Sequence, residues 1–175
     1  MANGKKIGQL FEQQIKQSVP NYALIYRLPD SAQSFGANNF LRFSNKNPFD
    51  FLIWDSRRHI LYALEMKTVK GKSISFERTK GENSKVIHYH QIKGLNEWNE
   101  YDGITCGFII EFRELEKTVF IDISEFNKLI EVIPKKSFNY NDLQENNINY
   151  LIIEQTKKRT RYTYNIDKFL QECQK

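Results

Sequence analysis

The sequence predicts an α/β domain, a mixed β-sheet flanked by helices. Three observations carry that prediction. Ile7, Leu10, Phe11 and Ile15 recur at helical spacing near the start. Hydrophobic, strand-like runs follow at 22–28, 49–55 and 60–67, and two more lie at 104–112 and 118–123. A second helical stripe at 86–98 stands between the two groups of strands. The order helix, strand, strand, strand, helix, strand, strand is that of a mixed sheet with helices on both faces.

In chain order, the first helix spans 5–18 and ends before Pro20. YALIYRL at 22–28 reads as a buried strand. Residues 29–47, PDSAQSFGANNFLRFSNKN, have no clean period and are long for a loop inside a domain. FDFLIWD at 49–55, the polar turn SRRH and ILYALEMK at 60–67 read as a β-hairpin. In VIHYHQIKGLNEW, Val86, Tyr89, Ile92 or Lys93, and Trp98 fall near one helical stripe. The strands ITCGFIIEF (104–112) and 118–123 are joined by the charged turn RELEK, and a short helix follows at 124–132. NYLIIE, RTRYTYN and a last helix at 166–173 complete the chain. With no internal repeat, low-complexity stretch or linker, residues 1–175 read as a single domain.

Composition narrows the class. An aromatic share of 14% argues for a packed core, and no apolar run is long enough to span a membrane. MANGKKIGQLFEQQI lacks the apolar segment of a secretory signal. Two cysteines, Cys106 and Cys173, are too few for a disulfide framework, so reduced thiols and a cytoplasmic location are expected. The net charge of +5 is unevenly spread. Residues 66–93 hold seven Lys or Arg against Glu77 and Glu82, whereas 97–125 hold eight acids against Arg113 and Lys117. Lys70, Lys72, Arg78, Lys80 and Lys85 in the first segment form either a solvated face or a polyanion-binding surface, with His90 as a further candidate for contacting phosphate. A second basic cluster, KKRTR, occupies 157–161.

The stretch YALEMKT (62–68) carries the chemistry. Side chains alternate along a strand, so Glu65 and Lys67 share one face and Leu64 and Met66 the other. Alone, an acid and a lysine two apart are most often an exposed ion pair worth under about 1 kcal/mol. Asp50 changes the weight of the motif. In a hairpin turning near 56–58 it falls opposite residue 64 or 65, within about 5–6 Å. Two carboxylates that close repel unless something positive lies between them. A hard divalent cation, Mg²⁺ or Mn²⁺, suits that position, with Lys67 beside it to orient or deprotonate water or to steady charge on a phosphate.

N-P-F-Asp50, then Glu65-Met-Lys67, resembles the PD-(D/E)xK nuclease signature. GKKIGQLFE, ending at Glu12, resembles the leading helix of those enzymes. SISF at 73–76, His88-Tyr-His90-Gln91 and DGITCGFIIEF then follow in the order seen in RecU-type Holliday junction resolvases. The resemblance covers residues 3 to about 130. It implies a restriction-endonuclease-like fold and a metal-dependent endonuclease acting as a homodimer on branched, four-way DNA. Asp50 and Glu65 would be metal ligands with the Met66 carbonyl as a third, and Lys67 a base or water-positioning group. Glu12 would complete the metal shell through a water, and Gln91 would position water or phosphate. Ser31 and Ser34 lie near where some archaeal relatives place a serine. Phe49-Asp50 replaces the family's threonine-aspartate pair, and 29–49 is short for its junction-entering stalk. The alternatives are a restriction- or repair-type nuclease on duplex or flap DNA and a non-catalytic DNA-binding module of the same fold. His88 and His90, two apart on a helix, would face apart and not share a metal.

Overall fold

Hydrophobic pattern and turn chemistry explain most of the elements. The computed structural model describes residues 2–29, 47–82 and 86–173. Helix α1 (Ala2–Ser18) buries Phe11 and Ile15. Strands β1 (Ala23–Arg27), β2 (Phe51–Asp55) and β3 (Ile60–Val69) form an antiparallel series. The β2–β3 turn is held by Asp55, whose carboxylate accepts from the N–H groups of Arg57 at 2.9 Å and Arg58 at 3.3 Å. The short β4 (Ser73–Ser75) precedes helix α2 (Tyr89–Asn99), and β5 (Ile104–Phe112) then returns parallel to β3. β6 (Lys117–Asp122) pairs antiparallel with β5 and leads into helix α3 (Ile123–Val132).

After α3 come β7 (Ser137–Asn139), helix α4 (Tyr140–Glu145) and β8 (Leu151–Ile153). The hairpin strands β9 (Gln155–Lys158) and β10 (Arg161–Tyr164) and helix α5 (Ile166–Glu172) end the described chain. The main sheet has the order β1-β2-β3-β5-β6-β8, while β4–β7 and β9–β10 form two small ribbons. Alternation along β3 sorts the two cores. Ala63 faces Leu95, Phe108 and Phe126 under α2 and α3. Tyr62, Leu64 and Met66 face Phe11, Ile15, Phe169 and Leu170 under α1 and α5. The aromatic residues noted in the composition fill both layers. Cys106 and Cys173 are both buried and are not joined in a disulfide.

Two expectations are corrected. The run 22–28 is not a buried strand: β1 is the sheet edge and alternates, leaving Leu24 66% and Tyr26 56% exposed. An edge strand has a neighbour on one side only, and hydrophobicity alone does not reveal which face lacks a covering helix. The second helix starts at Tyr89 rather than 86. Ile87 bridges Phe76, and His88 is the extended N-cap residue at φ −92°, ψ 149°. His88 and His90 therefore do not sit on one regular helix. Their rings stack, with centroids 5.6 Å apart and 16° between planes.

Helix α2 fixes the start of β2 as well as the crossover. A Cβ added to Gly94 would meet the Cβ and Cα of Pro48, so helix backbone lies directly on that proline. Phe49 meets Trp98 edge-on at 4.9 Å. Both contacts immediately precede Asp50. Gly94→Ala should lower stability by about 1–3 kcal/mol through overpacking, read from denaturant unfolding midpoints at constant slope.

Candidate active site

Hairpin register brings the acids together. Phe51 pairs with Leu64, so Asp50 falls opposite Glu65, and the Asp50 N–H donates to the Leu64 carbonyl at 3.2 Å. The Met66 N–H lies 3.4 Å from Asp50 Oδ2. Glu65 is 1% exposed. Its Oε1 takes Lys67 Nζ at 2.5 Å and Gln91 Nε2 at 2.5 Å. Its Oε2 is buried and has no hydrogen-bond partner. These groups line one open cavity of about 380 Å³ with Gly4, Gly8, Glu12, Arg27 and Thr68.

Burial pushes the Glu65 carboxyl up to about 8, against the lowering effect of Lys67; Asp50 pushes it further up. Below about pH 8 the carboxyl therefore keeps its proton beside the Asp50 carboxylate; once it ionises, the two acids have no donor to offer each other and Oε2 has no partner. A hard divalent cation fits this donor set. It would meet the unpartnered oxygen, separate the charges and displace the proton that Glu65 otherwise holds. Among the described residues no group of three His, Cys, Asp or Glu side chains could hold a metal. Mg²⁺ can be held by one or two carboxylates while keeping waters and substrate oxygens.

Gln91 is positioned from its other end. Its Oε1 accepts the His88 N–H at 2.9 Å, leaving Nε2 to point at Glu65. This is a capping box in which the N3 side chain also grips the acid. Glu12 lies on the cavity wall, where its carboxylate binds Arg27 Nε at 3.0 Å. It is near the acid pair but held by a cation.

The basic candidates separate into two kinds. Lys70, Lys72 and Lys80 are exposed; the first two directly follow β3. Arg78 is not available in the same way. Its guanidinium donates to the carbonyls of Ile130, Ile133 and Lys135, and lies over the Phe76 ring at 5.3 Å. It fastens the segment after β4 to the end of α3. His90 is half-buried against His88. Lys85, Ser31 and Ser34 fall outside the described residues.

Two participants escaped the sequence reading. Glu77, 8% exposed, accepts the Tyr89 N–H at 2.8 Å and contacts His88 Nδ1 at 3.1 Å. It places negative charge at the N-terminus of α2 and steadies the turn that carries Gln91. Glu111, paired with Thr68 across β3 and β5, accepts its hydroxyl at 2.6 Å and the Tyr164 phenol at 3.1 Å. Both partnerships span many residues, so no local spacing marks them.

Asp50, Glu65 and Lys67 thus converge beside β2 and β3, approached by Gln91 from helix α2. Residues 66–168 match the family described as recombination protein U. A relative from Bacillus subtilis strain 168, the SPbeta prophage-derived uncharacterized protein YotM, is 31% identical over 176 residues. That alignment covers 94% of this chain and 85% of the relative. The chain belongs to the recombination protein U family. The solved structure of Archaeoglobus fulgidus Hjc, a Holliday junction resolvase, aligns with 83% of this chain and 93% of its own at 11% identity, with a TM-score of 0.45.

The Glu65 shift has a definite sign for stability. An acid whose folded pKa lies above its unfolded value stabilises the fold below the unfolded pKa, and that contribution is lost as pH rises through the folded pKa. Metal-free protein should lose melting temperature between about pH 4.5 and about 8 on account of Glu65. Glu65→Gln keeps an oxygen for Lys67 and Gln91 and gives Asp50 an amide donor. It should melt higher than wild type above pH 8 in chelator and lack this titration. A Glu65→Gln protein that melts well below wild type there would make Glu65 a structural partner of Lys67 instead.

Proposed function

We propose that this chain is a divalent-metal-dependent endonuclease that resolves four-way DNA junctions by paired, symmetric phosphodiester hydrolysis. The observation that carries the proposal is the buried Glu65 carboxylate, with an unpartnered oxygen beside Asp50 and a lysine and a glutamine on its other oxygen. Family membership supports the substrate class.

Asp50, Glu65 and the Met66 carbonyl would hold Mg²⁺ or Mn²⁺, with Glu12 reaching the ion through a water. When bound, the metal supplies Lewis-acid stabilisation of phosphate charge and lowers the pKa of water. The chain's own residues have separate tasks. Gln91, held by the His88 N–H, fixes the Glu65 rotamer before substrate arrives. Lys67, whose Nζ reaches Glu65 Oε1, would orient the attacking water or steady the phosphate oxygens. Exposed Lys70, Lys72 and Lys80 track the backbone, with His90 beside Gln91 as a further contact.

A four-way junction has two equivalent strands to nick, so a twofold homodimer carries the two sites. Leu24, Tyr26 and Trp54 form an exposed apolar strip on the edge of the sheet suited to self-association; Leu24 pairs directly with Trp54. The relative YotM being prophage-derived supports a phage source. Among the described residues no helix is long and apolar enough to cross a membrane.

Labelled junction, linear duplex and flap, each with and without Mg²⁺ or Mn²⁺, test the reading. Junctions should be nicked in symmetrically related strands, with chelator stopping cleavage but not binding. Equal cleavage of duplex and junction would replace resolvase with a general nuclease, and no cleavage under any metal would favour the DNA-binding module.

Lys67→Ala should retain the metal-induced rise in melting temperature while losing cleavage. Asp50→Asn should lose most of that rise, which for wild type is equivalent to about 2.7 kcal/mol at a hundred times the dissociation constant. Thermal melts across a metal titration distinguish the two.

A further inference from the structure

The β9–β10 hairpin is built as a rigid projection. At its base, the Tyr164 phenol donates to Glu111, its N–H donates to Ser18 Oγ at 3.0 Å, and its ring meets Phe11 edge-on at 5.6 Å. Glu111 also holds Thr68, the residue after Lys67. One buried carboxylate thus ties the hairpin to the strand that carries the reactive lysine.

Two residues nearer the tip, the Tyr162 phenol donates to Glu116 Oε1 at 2.8 Å, and Lys157 Nζ lies 3.4 Å from the same oxygen. Glu116 sits in the turn after β5. Because β3 and β5 are parallel, with Val69 paired to Phe112, that turn lies at the end of the sheet where Lys67 emerges. Beyond Glu116 the hairpin continues with no further tether recorded among the described residues. From Tyr164 to the turn is about 13 Å at ~3.3 Å per residue. The tip therefore overhangs the same end of the sheet as the acid pair.

Its composition is unusual for a tight turn. Lys158, Arg159 and Arg161 are exposed, and none pairs with a carboxylate among the described residues. Arg159 occupies the left-handed region at φ 52°, where Gly or Asn would sit with less strain. Three mutually repelling cations, one in a disfavoured backbone conformation, are poor choices for local stability and good ones for holding phosphates.

We propose that this hairpin tip is a second DNA contact, in which Lys158, Arg159 and Arg161 hold phosphates of a duplex arm several base steps from the scissile one. The proposal rests on the nuclease reading of the Asp50–Glu65–Lys67 site for its substrate.

The test is a triple variant, Lys158→Ala, Arg159→Asn and Arg161→Ala, in which Asn also relieves the left-handed strain. Binding to a four-way junction is measured in chelator over a salt series, beside thermal melts and single-turnover cleavage with metal. The slope of log affinity against log salt should flatten by about two to three, since each lost phosphate contact removes about 0.9. Cleavage at saturating DNA and melting temperature should stay near wild type, and Arg161→Lys alone should keep the full slope. A wild-type slope in the triple variant, while wild type binds and cleaves, overturns the hairpin contact alone. Wild type that binds with the expected slope but never cleaves overturns the nuclease reading alone, and wild type that does not bind DNA overturns both.

Discussion

Everything at the site follows from placing a carboxylate, Glu65, where water cannot solvate it. Burial of an unpaired ion costs several kcal/mol, and a neighbouring carboxylate adds to that. The fold supplies donors to one oxygen only. Lys67 and Gln91 both converge on Oε1, whereas Oε2 has no partner, and Asp50 lies close to the same carboxyl. A site arranged only for stability would satisfy both oxygens or replace the acid with an apolar residue. Half-satisfaction, in a residue that lines an open cavity, is an arrangement that a cation could complete.

Helix α2 transmits that constraint through the molecule. At one end its capping-box glutamine grips Glu65, and at the other Gly94 and Trp98 pack on Pro48 and Phe49, next to Asp50. The two carboxylates sit on adjacent strands whose separation is set by backbone pairing, and the same helix presses on both. Its own N-terminus is charge-compensated by Glu77. Rotating the helix would misdirect Gln91 and loosen the start of β2 together, so the geometry of the acid pair is coupled to helix packing rather than to the hairpin alone.

How much of this was legible in the sequence depended on the range of the interaction. Strand alternation placed Glu65 and Lys67 on one face, and counting back from the SRRH turn put Asp50 opposite residue 64 or 65; both need only local periodicity, and the β2–β3 register selects Glu65. The order of the main-sheet strands and of helices α1, α2, α3 and α5 was readable for the same reason, whereas β7 and α4 were not read. The edge position of β1 was hidden because exposure there depends on which helix covers which face. The cap at His88 was hidden because Ile87 is drawn into a bridge with Phe76 and withheld from the helix. Glu77, eleven residues from His88, and Glu111, forty-three from Thr68, are paired only by the folded topology.

Charge required the same correction. A basic segment in sequence is a list of cations, not a surface, and the fold consumes some of them. Arg78 is spent on three carbonyls at the end of α3, Arg58 on the carbonyls of Leu170 and Gln171, and Arg27 on Glu12. Arginine suits such tasks because its planar fork satisfies several acceptors at once and is weakly hydrated. Lysines at 70, 72 and 80 remain exposed, and beyond Lys157 so do the cations of the β9–β10 turn. The potential a polyanion would meet is therefore set less by the net charge of +5 than by which cations the fold leaves free. Lys70 and Lys72 directly follow the strand that carries Lys67, and the hairpin cations overhang that same end of the sheet. A backbone drawn to them is drawn toward the acid pair.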